Sequence, residues 1–369
     1  VVNVETVKAA LSGVIDPELR RPITELDMVD GVEVSEEGIS VGIALTIVGC
    51  PASDRIEADV RAAVEAVAEG RPVSVTLGVM DPARRTALID RLRGDKKNPF
   101  LDPTLTRIIA VTSGKGGVGK STVTANLAVY TASQGFRVGI IDADVFGFSI
   151  PGLLGIEGSQ PTRIDDMMLP PIGYDVKTIS IGMFVSAHQP VSWRGPMLHR
   201  TLNQFLTDVH FGDLDFLFID LPPGTGDVAI SLGQTLPHSE VLVVTTPQVA
   251  AADVAERSGL VARQVGQQVI GVVETMSAGT LDGHSVDLFG SGGGEEVATR
   301  LEVPLLGTIP LSVALRVGGD SGHPVIVAQP DDPAAFAIRA IADQLIRGGK
   351  TRVGVPLPFS PAQSSKNAG

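Results

Sequence analysis

The residues Gly114-Lys115-Gly116-Gly117-Val118-Gly119-Lys120-Ser121 fit the spacing G-x-x-x-x-G-K-[ST]. Such a loop grips a polyphosphate. Its glycines let the main chain curl until the N–H groups face a β-phosphate, Lys120 bridges β and γ oxygens, and the Ser121 hydroxyl binds Mg²⁺. Thr122 is within reach of an α-phosphate. Two apolar runs that end in carboxylates complete the pattern. Phe216–Asp220 is expected to hold an Mg²⁺-bound water through Asp220, and in the following Leu221-Pro-Pro-Gly224 the Gly224 N–H is expected to meet a γ-phosphate. Val138–Asp142 places Asp142 to support the metal shell, and Asp144 to orient an attacking water. The competing reading of each aspartate is a helix cap or a turn residue. The chemistry read from this set is binding and hydrolysis of ATP with Mg²⁺.

These groups need strands that stop together and a helix that starts beside them. From Arg107 onward the chain supplies both: apolar strands at Ile108–Thr112, Val138–Asp142, Phe216–Asp220, Val241–Thr245, Val269–Val273 and Leu305–Ile309 alternate with helices. Near-continuous apolar strands require a parallel sheet covered on both faces. The phosphate loop falls between the first strand and a helix predicted over Thr122–Gln134. The expected fold is α/β: a P-loop NTPase with a mostly parallel sheet, preceded by a small α+β domain. That small domain is read from a helix at 4–15, strands at Val29–Val34 and Ile39–Ile47, a helix at Asp54–Ala68 and a strand at Pro72–Val79. The expected boundaries are 1–93 for the α+β domain, 94–103 for a polar linker, 104–349 for the ATPase domain and 350–369 for a disordered Pro- and Ser-rich tail.

Composition narrows the partners. The chain has 369 residues, 43% hydrophobic and 19% charged, with a formal charge of −13. The acidic balance argues against general binding to nucleic acid or to an anionic membrane. No run approaches a membrane span, and the opening VVNVETVKAAL lacks a secretory signal pattern, so a cytoplasmic protein is expected. Residues 1–95 hold 10 Lys and Arg against 17 Asp and Glu, either a solvated acidic face or a dock for a basic partner. A single cysteine, Cys50, excludes an internal disulfide and a one-chain thiolate cage.

The extra Lys115 inside K-G-G-V-G-K-S-T resembles the deviant Walker A motif of the ParA, MinD and nitrogenase iron-protein class. That resemblance implies a homodimer in which Lys115 crosses to the partner's phosphates, where a second cation offsets charge on the transferring group. The wider set DADVFGFSIP (142–151), SWRGPM (192–197), DLPPGTGD (220–227), TTPQ (245–248), FGSGGGEEVA (289–298) and GTIPL (307–311) resembles the Mrp/ApbC family of iron–sulfur cluster carrier ATPases. DPEL (16–19) and Thr46-Ile-Val-Gly-Cys50-Pro51 are similar to the MIP18-type domain often fused to them. Membership implies an ATP-hydrolysing homodimer, slow in turnover, that takes iron–sulfur clusters from assembly machinery and hands them to apoprotein clients. The alternative is a MinD- or ParA-like positioning or scaffold ATPase without a cluster.

The chain departs from the carrier pattern after Glu274-Thr275-Met276-Ser277, where many relatives carry C-x-x-C and this one has no cysteine up to Asp287. Cluster ligands are normally thiolates, with histidine an occasional substitute, which leaves His284 and Cys50 as candidates. Cys50 precedes Pro51 near the start of the second predicted helix, where the helix dipole favours thiolate; the other reading is a small buried hydrophobe. Thr275 also stands where relatives place the asparagine that reads adenine, so base contacts are expected from the backbone near Pro310. The Gly292–Gly294 run is expected to open a helix.

Overall fold

The computed structural model describes residues 2–93, 98–101, 104–144, 147–184, 195–281 and 284–348. Most of the expected linker, the 350–369 tail, His188 and the Trp193-Arg194 pair lie outside the described residues. Elements run in the order α1 (Val4–Leu11), β1 (Val29–Val34), β2 (Ile39–Leu45), α2 (Ser53–Glu65), β3 (Val73–Val79) and α3 (Pro82–Arg93). They continue as β4 (Arg107–Ser113), α4 (Lys120–Ser133), β5 (Val138–Asp142), α5 (Ile150–Leu153), β6 (Thr162–Ile164), β7 (Met167–Leu169), β8 (Ile172–Gly173) and β9 (Val176–Ser180). Next come α6 (Gly195–Thr207), β10 (Phe216–Asp220), α7 (Asp227–Thr235), β11 (Glu240–Thr245), α8 (Val249–Gln264) and β12 (Gln268–Ser277). The chain closes with β13 (Gly279–Leu281), β14 (His284–Val286), α9 (Gly293–Arg300), β15 (Leu305–Pro310), α10 (Val313–Asp320), α11 (Val325–Ala328) and α12 (Pro333–Arg347).

The large sheet has the order β15-β12-β11-β4-β10-β5-β9-β8, parallel throughout except for the last pair. Alternate residues of β4 feed opposite faces. Ile108 and Ala110 join the core under α6, α7 and α8, while Ile109 and Val111 join the core under α4 and α12. Two covered faces are the reason these strands read as unbroken apolar runs. Register matters for function: Asp220 pairs with Asp142 on one side and with Val111 on the other. The strand ends carrying the carboxylates and the phosphate loop therefore share one edge, where open α/β sheets bind ligands.

The sequence pattern does not name α3, whose sequence PARRTALIDRLR has a weakly apolar face, nor the short strands β6, β7, β8, β13 and β14. It also leaves out β9, a fully buried strand of sequence VKTIS. Its polar residues disguise it, yet each finds a partner: Lys177 Nζ donates to the Phe211 carbonyl at 2.9 Å and Ser180 Oγ to Asp142 at 2.9 Å.

The small sheet β1-β2-β3 forms its own core with α1 and α2. That core takes in Ile164, Met167 and Leu169 from the β6–β7 hairpin. Ion pairs line the same seam: Arg20 with Asp175 at 3.0 Å, Arg85 with Asp165 at 3.1 Å and Arg93 with Asp166 at 2.7 Å. Beside it, burial and the charges of Lys177 and Arg21 push the His210 imidazole down to about 4. As the pH falls from the ordinary histidine value towards 4, the unfolded chain takes up a proton that the folded chain refuses, so stability declines in that window. We expect His210→Asn to remove on the order of 2 kcal/mol of this acid-side loss. Melting temperatures of the two proteins followed from pH 7 to 4.5 check it: the wild-type curve should fall more steeply.

Candidate functional site

The phosphate loop runs from the end of β4 into α4, and its shape is set by positions where a side chain cannot stand. Gly117 and Gly119 have φ of 76° and 79°, the left-handed region that glycine enters without strain. A Cβ on Gly114 would lie 2.3 Å from the Ala255 nitrogen, so only glycine lets this corner rest on α8. Val118 is buried and anchors the loop, and its carbonyl accepts the Thr275 hydroxyl at 2.6 Å. The first N–H groups of α4 have no partner within the helix and carry the positive end of its dipole, which is the physical basis of anion binding there.

Lys120, Ser121, Asp142, Asp144 and Asp220 converge below this loop. Lys120 Nζ lies 2.6 Å from Asp220 Oδ2 and 3.8 Å from Asp144 Oδ2. Ser121 Oγ donates to the same Asp220 oxygen at 2.6 Å, and Thr124 Oγ1 donates to the other at 2.8 Å. Asp142 is fully buried; burial first, and the charge of Asp220 second, raise its carboxyl well above the usual carboxylate range. The Ser180 hydroxyl and the Asp144 N–H, at 2.9 and 3.2 Å, partly offset that rise. Asp144 also accepts the Gly147 N–H at 3.1 Å, so it combines the turn role with a place in the cluster. Ser121 Oγ and Asp220 Oδ2 form a hard-oxygen pair of the kind Mg²⁺ takes alongside substrate phosphates, and the donor set fits that ion.

Other expected site residues stand further out. Lys115 Nζ donates to the Gln248 side chain at 2.8 Å, at the cap of α8. Thr122 and Gly119 line a cavity of about 1000 Å³ that extends past Thr275 and Met276 to Pro310 and Leu311. Thr275 spends its hydroxyl on backbone carbonyls of Val118 and Thr245, and Pro310 lines the same cavity. The Gly224 N–H, expected to meet a γ-phosphate, donates here to the Ser113 carbonyl at 2.7 Å. Thr124 was missed, although it follows Ser121 by three residues on one helix face. Ser180 had no such signal, being brought to Asp142 by strand pairing alone.

The cluster ligands fare differently. Among the described residues no three His, Cys, Asp or Glu side chains are grouped to hold a metal ion. His284 is exposed on β14. Of the two readings of Cys50, the surroundings match the small buried hydrophobe. The side chain is 4% exposed, and burial, reinforced by Glu18 and Asp16, pushes the thiol up to about 11 despite an N–H bond from Ala52. The helix dipole loses to desolvation there. The Gly292–Gly294 run opens α9 as expected, with Glu274 Oε2 accepting the Gly294 N–H at 2.7 Å.

A family model described as NUBPL iron-transfer P-loop NTPase matches residues 104–346. This chain belongs to that family. A second model, described as iron-sulfur cluster assembly protein, matches residues 4–77 of this family member. The iron-sulfur cluster carrier protein of Mycobacterium bovis is 51% identical over 369 residues, 97% of each chain. The Escherichia coli carrier protein is 34% identical over 348 residues, 92% of each. Among solved structures, a nucleotide-binding protein of Archaeoglobus fulgidus in complex with ADP superposes with a TM-score of 0.54 at 36% identity. It covers 62% of this chain and 90% of its own. The cell division ATPase MinD of Pyrococcus furiosus gives a TM-score of 0.50 at 25% identity, covering 65% and 98%. The family resemblance and the α/β P-loop NTPase fold read from the motifs both hold.

We expect Gly114→Ala to destabilise this NTPase by on the order of 3 kcal/mol, because the methyl group must displace the backbone of α8. Chemical denaturation together with nucleotide titration checks it; unchanged stability would place the loop elsewhere.

Proposed function

We propose that this chain is an ATP-hydrolysing carrier that accepts iron–sulfur clusters from assembly machinery and delivers them to apoproteins, working in the cytoplasm as a homodimer. The observation that carries this reading is the near-full-length likeness to carrier proteins, 97% of both chains at 51% identity. The fold likeness to MinD is shared with positioning ATPases and does not choose between them, whereas the iron-transfer family match favours the carrier.

In this reading the domains fall at 1–93 and 104–349. Gly114 to Gly119 present main-chain N–H groups to the phosphates, Lys120 neutralises the β and γ oxygens, and Thr122 meets the α-phosphate. Mg²⁺, when bound, would be held by Ser121 and Asp220, with Asp142 behind them, and would supply charge neutralisation at the phosphates. Asp144 orients the attacking water. Lys115 leaves Gln248 and reaches the partner's phosphates, so that ATP closes the dimer and hydrolysis opens it. Slow turnover suits such a switch, in which chemistry times release. The cluster is cargo, and one chain's described residues do not enclose it. Ligands drawn from two chains, with Cys50 a contributor, are consistent with a weakly held cluster.

Lys120→Ala should abolish nucleotide binding, measured by calorimetry on protein whose fold is verified by circular dichroism. Lys115→Ala should bind ATP within a few-fold of wild type but lose about 100-fold in turnover, in line with removal of a transition-state cation, and fail to dimerise with ATP in light scattering. Full turnover in Lys115→Ala rejects action across the dimer. Anaerobic reconstitution with iron and sulfide should give a labile cluster at less than full occupancy that transfers to an apoprotein; no iron uptake and no transfer would reject the carrier reading.

A further inference from the structure

The end of β12 lies against the phosphate loop, and one side chain there joins the two. Thr275 is 4% exposed, and its hydroxyl lies 2.6 Å from the Val118 carbonyl oxygen and 3.0 Å from that of Thr245. Both oxygens are acceptors, so the single hydroxyl proton is committed to backbone and Thr275 has none to offer a base. Its methyl group faces the loop as well, since a Cβ on Gly119 would lie 3.9 Å from Thr275 Cγ2. The strand end that carries Thr275 is itself fastened. Glu274 pairs with Thr245 on one side and Thr308 on the other. Its carboxylate accepts the Ser277 hydroxyl at 2.9 Å and the Gly294 N–H at 2.7 Å. Thr275 is thus a fixed point against which the glycine-rich loop is set.

The Val118 carbonyl and the Gly119 N–H are the two ends of one planar trans peptide, so they point in opposite directions. Holding that carbonyl on Thr275 turns the Gly119 N–H to the other side. The next carbonyl, of Gly119, accepts the Val123 N–H at 2.9 Å where α4 begins. We propose that Thr275 is a positioning residue for the phosphates: by holding the Val118–Gly119 peptide it aims the Gly119 N–H at the polyphosphate, and it takes no part in reading the base. This role rests on the reading of the loop as a nucleotide site. A fixed donor needs no reordering when the anion arrives, so the benefit extends to every polyphosphate ligand, whatever base it carries.

Calorimetric titration of the full chain with ATP, GTP and inorganic tripolyphosphate, each with Mg²⁺, separates holding the loop from reading the base. Thr275→Val keeps the shape of the side chain and removes the proton. It should weaken all three ligands by a similar factor, about fivefold to tenfold, and leave the ratio of ATP to GTP affinity unchanged. Thr275→Ala, which lacks the proton without setting a methyl group against the carbonyls, should show the same pattern. Thr275→Ser keeps the hydroxyl and should bind each ligand within about twofold of wild type. Ser277→Ala removes a neighbouring hydroxyl that meets Glu274 and not the loop, and should also stay within about twofold. A changed ATP to GTP ratio with tripolyphosphate affinity intact overturns the positioning role, because it marks a base-reading residue. So does Thr275→Ser as weak as Thr275→Val, or Ser277→Ala as weak as either, because the loss then follows from a loosened strand end. Wild-type protein that binds neither ATP nor tripolyphosphate rejects the nucleotide reading itself. Wild-type binding undiminished in Thr275→Val rejects the positioning role alone.

Discussion

Asp142 and Asp220 end neighbouring parallel strands in register, and both carboxyl groups are cut off from water. Two like charges in that position cannot both be tolerated unaided, since burying an uncompensated ion costs several kcal/mol. The surroundings answer in two ways. Asp220 receives the ammonium of Lys120 and the hydroxyls of Ser121 and Thr124, so its charge is matched on every side. Asp142 is instead driven toward its neutral form, with Ser180 and the Asp144 N–H holding it in place. The two carboxyl groups therefore meet different surroundings, Asp220 among three donors and Asp142 between the Ser180 hydroxyl and the Asp144 N–H.

That constraint organises the rest of the ATPase half. Lys120 must sit at the first turn of α4 to reach Asp220, and the loop before it must turn sharply enough to bring the helix there. Gly117 and Gly119 permit the turn, while Gly114 lets it rest against α8. Thr275 ties the loop back to β11 through the carbonyls of Val118 and Thr245. A loop fastened from both flanks presents its N–H groups without further ordering, which is how preorganised charge sites gain their strength.

A second group of buried and half-buried titratable side chains lies along the seam between the small sheet and the large one. Lys177 is pushed down to about 8 by burial and then by Arg20, His210 falls similarly, and Asp16 and Glu18 are raised by burial. All four move toward neutrality, the signature of desolvation acting on both signs of charge. Asp16 belongs to the DPEL motif, and its carboxylate accepts the N–H groups of Glu18 and Leu19 at 2.9 and 2.7 Å, so part of that motif builds a turn. The seam is thus polar at its edges and dry within.

The residue pattern alone determined the phosphate loop, the strands bearing Asp142 and Asp220, and the α/β class, because each depends on local spacing: glycines where the chain must curl, apolar runs where both faces are covered. Even Thr124 was legible in principle, one helical turn beyond Ser121. Tertiary structure alone decided the rest. Pairing of β9 with β5 brought Ser180 to Asp142, and a strand containing Lys177 was buried because a distant carbonyl satisfied it. The Gly224 N–H went to Ser113, and Cys50 lost its helix-dipole advantage to burial in the small-domain core. Hydrogen-bond partners and desolvation are set by what packs against a group, and no local pattern of residues records that.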